Sequence, residues 1–103
     1  MFDVPTERLP AGPELDALVS GVLGVAVRPF SSSFECAGEL MREHRIGVTP
    51  CGYRTKEGSW LATTISAEGK PYFSAHLDPL VAIAHCFLLS KGQAEALNAS
   101  ALI

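Results

Sequence analysis

Apolar residues recur along this chain with two different periods, and the change from one to the other divides it into elements. Leu15, Leu18, Val19, Val22 and Leu23 fall on one helical stripe. Gly12-Pro13-Glu14 provides its start: proline suits the first helical position, where its missing N–H would have had no partner, and Glu14 and Asp16 favour the positive end of the dipole. Gly24 is the expected stop. A second helical face holds Cys36, Ala37, Leu40, Met41 and His44. Ahead of it Ser32-Ser33-Phe34-Glu35 reads as a capping box, a serine oxygen accepting from the Glu35 backbone N–H, and Gly47 reads as the left-handed stop.

From Val48 to His76 the period shortens to two. VTPCGYR, SWLATTI and PYFSAH are separated by TKEG and SAEGK, glycine-containing turns of hairpin length, which predicts an antiparallel three-stranded meander. In the middle strand Trp60, Ala62 and Thr64 share one face, and Leu61, Thr63 and Ile65 the other. Both faces carry apolar groups, as expected where helices cover a sheet on both sides, or on one side with a partner on the other. VAVRPF, from Val25 to Phe30, alternates β-branched with small residues and is the candidate for a fourth, short strand.

The last helix has the clearest start, Asp78 as N-cap followed by Pro79, and Gly92 ends or bends it. With Leu80 as reference, Ile83, Ala84, Phe87 and Leu88 make the expected sheet-facing stripe. Ala82, His85, Cys86 and Leu89 fall on the other side, a second face poor in charge. Cys86 is expected to pack within the chain, and Ala82, His85 and Leu89 to form a partner or dimer surface.

Together the elements predict an α+β domain of order α-(β)-α-β-β-β-α. Its three-stranded antiparallel meander is sandwiched between helices, the first and last on one face and the second on the other. Residues 1–11 read as an irregular arm, 12–92 as the sandwich domain and 93–103 as a small-residue tail. A length of 103 residues, 48% hydrophobic and 18% charged, suits one such domain. The net charge of -3 disfavours a nucleic-acid or anionic-membrane surface. The longest apolar run, LVAIAHCFLL, is well short of the roughly 20 residues of a membrane span. MFDVPTERLPAGP lacks the basic start and apolar core of a signal peptide, and Cys36, Cys51 and Cys86 have no paired spacing, so a cytoplasmic location is expected.

Templates for chemistry fail in turn. The chain has no C-x-x-C, H-x-x-x-H or H-E-x-x-H, and His85 and Cys86 point about 100° apart on a helix, so no metal site is expected. Cys36 stands early in the second helix, but Glu35 and Glu39 oppose a thiolate there. Without G-x-S-x-G, G-x-G-x-x-G or a G-K-[ST] loop, no catalytic residue and no cofactor is expected either. One arrangement admits a ligand. Arg54 and Lys56 beside Tyr53 and Trp60 would give an aromatic surface with a basic edge, able to stack a nucleotide-like anion. The plainer alternative is a buried sheet face with solvated turn charges.

GPELDALVSGVLG, PFSSSFECAGELM, GSWLATTI and AHLDPLVAIAHCFLL, which span most of Gly12 to Lys91, resemble the small phage and prophage proteins of the phage alpha-beta-alpha sandwich family, and more distantly NinX-type proteins of lambdoid phages. The resemblance implies a sheet between helical layers and a phage or prophage origin; it carries over no functional residue. It departs at VAVRPF, where relatives often have a longer loop with aromatics, so a binding site on that loop would be lost or altered here. The expected function is that of a non-enzymatic accessory protein in the bacterial host cytoplasm, acting by binding a host or phage macromolecule. A protein partner or a second copy is favoured, and a membrane or nucleic acid disfavoured. Binding of a nucleotide-like anion through Tyr53, Arg54, Lys56 and Trp60 is the alternative.

Overall fold

The structure, a computed structural model, describes residues 9–51 and 59–97. Its elements are α1 (Pro13–Leu23), α2 (Phe34–His44), β1 (Gly47–Cys51), β2 (Ser59–Ile65), β3 (Pro71–His76), α3 (Pro79–Ser90) and α4 (Ala94–Leu97). This is the expected α+β order, and the strands form the expected antiparallel meander β1-β2-β3. Ala62 at its centre lies between Val48 and Ser74. The β2–β3 turn is held by Ser66 N–H to the Lys70 carbonyl (2.8 Å) and Gly69 N–H to the Ser66 carbonyl (2.9 Å). Gly69 there adopts φ 83°, which a β-carbon would penalise.

Val25–Phe30 is not a strand. Its amides are committed elsewhere: Arg28 N–H donates to Ser20 Oγ (3.1 Å) and Phe30 N–H to the Arg28 carbonyl (2.9 Å). The segment is instead strapped to α1, whose buried Asp16 accepts from Ser31 N–H (2.8 Å) while Ser31 Oγ accepts from Gly12 N–H (3.0 Å).

The helix ends follow the sequence in part. Asp78 Oδ1 accepts from Leu80 N–H at 2.9 Å, capping α3. The cap of α2 falls one residue later than the capping box suggests: Ser33 Oγ accepts from Cys36 N–H (3.3 Å), because the amides of Ser32 and Ser33 both turn back to the Pro29 carbonyl. The left-handed residue ending α2 is Arg45 (φ 53°), whereas Gly47 already pairs with Thr63 in β1.

The layering also differs from the expected alternation. The segment PLVAIAHCFLLS has no charged residue, and a helix apolar all round must be enclosed. Accordingly α3 is buried on every side from Leu80 to Leu88, between the sheet and an outer set made by α1, α2 and α4. The described helices thus gather on one side of the sheet. Cys86, placed on the outward side by the periodicity, donates from its thiol to the Tyr72 carbonyl of β3 (3.7 Å), while Phe87 meets His44 of α2 edge to face at 4.7 Å. Thr64 ties the sheet to the end of α2 by donating to the His44 carbonyl (3.0 Å).

Candidate functional site

Of the expected partner surface on α3, the structure leaves little. Ala82 is 0% and His85 1% exposed, and Leu89 is half-buried. His85 Nε2 carries its proton and donates to the Leu9 carbonyl at 2.8 Å, while Leu9 N–H donates to the Leu97 carbonyl of α4 (3.0 Å). The arm at Leu9 and the tail at Leu97, both buried, therefore cover this face. Packing, not presentation to a partner, is the role of Ala82 and His85. That signal is absent from local pattern, since the histidine and the carbonyl it serves lie 76 residues apart.

The alternative ligand site divides. Tyr53, Arg54 and Lys56 lie outside the described residues, and Trp60 is half-buried on the α3-facing side of β2, opposite Pro50 and His76. A depression of about 450 Å³ lies between the C-terminal ends of α2 and α3 and the β2–β3 turn. Its charges are mixed, with Lys91 and Arg45 against Glu43 and Glu68, and the helix ends facing it are the negative ones, so it suits an anion poorly.

The titratable groups show where burial dominates. The Cys86 thiol is pushed up to about 12 by burial, which keeps it protonated and inert at neutral pH. His44 is lowered by burial and then by the nearby Lys91 charge; His76 is lowered by burial, with the Asp78 charge opposing. Neutral His76 accepts from Asp78 N–H through Nδ1 (2.9 Å), beside the α3 cap. Arg28 pairs with Glu39 at 2.7 Å, which lowers that carboxyl, but the pair is solvent-exposed. Among the described residues no three His, Cys, Asp or Glu side chains gather as a metal site, and no helix is long and apolar enough to cross a membrane.

What stands open is one end of the sheet face turned away from α3, at Thr63, Ile65 and Phe73. The cross-strand row Gly47–Thr63–Phe73 crosses it, and Ile65–Pro71 forms the next row towards the turn. Ile65 is 69% and Phe73 54% exposed, and as diagonal neighbours on adjacent strands they lie within reach of each other. Thr49 and Thr63 beside them are exposed too. The further row Thr49–Leu61–Ala75 is open only at its Thr49 end, Ala75 being buried. No outward position in any strand is Asp, Glu, Lys or Arg. Arg45 borders this face, lining with Gly47, Thr63, Ile65 and Phe73 a shallow depression on it, so the exposed apolar pair stands among threonines and beside one basic side chain. The sequence held the signal in Leu61, Thr63 and Ile65, the second apolar face of the middle strand.

Comparison with known proteins adds no relative: no family model, curated protein or solved structure matches this chain.

Proposed function

We propose that this chain is a non-enzymatic accessory protein of phage or prophage origin that acts in the bacterial cytoplasm by binding a host or phage protein through the open face of its sheet. The observation that carries the reading is the exposed pair Ile65 and Phe73 on a face whose strand positions are uncharged, with Arg45 at its border. The phage origin rests on the resemblance of the helix starts and apolar stripes, GPELDALVSGVLG and AHLDPLVAIAHCFLL among them. Binding moves from α3, where the periodicity put it, to the sheet, because α3 is enclosed by the chain itself.

The test is affinity capture from a bacterial host lysate supplemented with untagged chain, using wild type and an Ile65→Lys/Phe73→Lys variant. Both side chains are exposed, so the variant should fold normally. Wild type is expected to retain a protein that the variant loses. Equal capture by both would overturn the reading.

A further inference from the structure

We infer that His76 is an acid switch built into the corner between β3 and α3. When its imidazole takes a proton, the Asp78 backbone N–H is released and the Asp78 carboxylate turns from capping α3 to pairing with the imidazolium.

The bonds at the corner decide which atoms take part. His76, the last residue of β3, accepts from Asp78 N–H through Nδ1 at 2.9 Å, and Asp78 Oδ1 accepts from Leu80 N–H at 2.9 Å in the first turn of α3. A neutral imidazole has one ring nitrogen that accepts and one that donates. Here the accepting nitrogen is Nδ1, so the ring's own proton sits on Nε2 and a second proton can enter only at Nδ1. Two N–H groups would then face each other across 2.9 Å, and that contact does not survive. The ring is left with a donor at Nδ1 and a positive charge, two residues from a carboxylate.

The surroundings leave Asp78 as the partner. Trp60 stands opposite His76 on β2 with Pro50 beyond it on β1, and neither brings a charge. From α3 the ring of His85 meets His76 edge to face, with 5.8 Å between centroids. Among the described residues Asp78 is the one charge that acts on His76. Its pull towards the imidazolium is outweighed by burial, so the switch turns below the ordinary histidine value near 6.5. His76 is half-buried, which leaves a path for the proton from solvent.

The other histidine contacts are not wired in this way. His85 Nε2 is the donor to the Leu9 carbonyl, a bond that an imidazolium keeps, and His44 packs its ring on Phe87. Acid therefore acts on the entry to α3, whose first turn loses its cap while the buried stretch from Val81 to Leu88 stays enclosed.

The experiment is an NMR titration of the full chain from pH 7.5 to 5, following the His76 ring nitrogens and the amides of Asp78 and Leu80. At neutral pH the ring should show its proton on Nε2. As it titrates, both amides should move with the ring's own midpoint. Corrected for intrinsic exchange, the Leu80 amide should lose roughly fivefold in protection beyond any loss at Val19 of α1, the worth of a cap. His76→Asn offers an acceptor near the place of Nδ1 but does not titrate, so both amides should hold their positions throughout. Asp78→Asn keeps a capping oxygen without the charge, so the Leu80 amide should stay fixed while His76 still titrates, with a lower midpoint. A neutral ring protonated at Nδ1, a Leu80 amide that keeps its full protection while His76 titrates, or amides that move alike in wild type and His76→Asn would each overturn the inference.

Discussion

His85 lies where the two ends of the described chain, Leu9 and Leu97, come together, and its energetics follow from what it leaves behind when removed. His85→Leu keeps most of the volume but strands the buried Leu9 carbonyl, which costs about 2 kcal/mol, the penalty of an unpaired buried acceptor. His85→Gln, with an amide donor of similar reach, should recover part of that loss in urea unfolding. The other two histidines set the acid limit. Folding holds the pKa of His44 and His76 below the ordinary value near 6.5, so between the two values the unfolded chain binds more protons. Stability should therefore hold above about pH 6.5 and decline as the pH falls from there, before carboxylates such as Glu39 contribute below their own range. Urea midpoints across that interval would check it, and a flat profile down to pH 5 would contradict it. Cys86 sets an alkaline limit: its raised pKa gives stability present below about 9 and lost as pH rises towards 12.

At the scale of elements, the caps make separable predictions. Asp78→Ala should cost about 1 kcal/mol, since it removes the acceptor of the Leu80 N–H and with it the start of the most enclosed helix. Arg45→Gly should stabilise by about 0.5–1 kcal/mol in the same assay, because a side chain at φ 53° pays for a conformation glycine adopts freely. That pair also marks what the sequence made legible. Asp78-Pro79 is a local signal, complete in two residues, and it places the cap correctly. The end of α2 is decided by where β1 begins: Gly47 was needed in the strand, opposite Thr63, so the turn fell on Arg45. The sides of α3 were illegible for a related reason. A helix with no polar stripe carries no mark of which side meets the sheet, so periodicity assigned Cys86 outward when it faces β3. The strands fared better because a period of two needs no long-range information to separate Ala62 and Thr64 from Thr63 and Ile65; which set would be covered depended on where the helices went.

For the whole molecule, one-sided layering explains why the open face was foreseen only as one of two options. Apolar groups on both sides of the meander predict a second cover without saying whether the chain supplies it. Here α1, α2 and α4 are spent on enclosing α3, and none is left for the Ile65–Phe73 end of the far face. The same enclosure makes the ends of the described chain part of the core, since Leu9 and Leu97 are both buried beside α3. Hydrogen exchange should reflect this: the Leu9 amide, bonded to the Leu97 carbonyl, should exchange slowly, and faster in His85→Leu.

With Leu9 and Leu97 one hydrogen bond apart, the backbone path is nearly a closed ring, and where it is cut matters less than that it closes. Linking Leu97 to Leu9 by a short flexible segment and opening the chain within the exposed Ala67–Gly69 turn should give a circular permutant of the described residues with the same helices and sheet, because no buried backbone bond is lost beyond those of that turn. New termini there would emerge beside Ile65, where an attached label would report directly on any change in the surroundings of that end of the sheet.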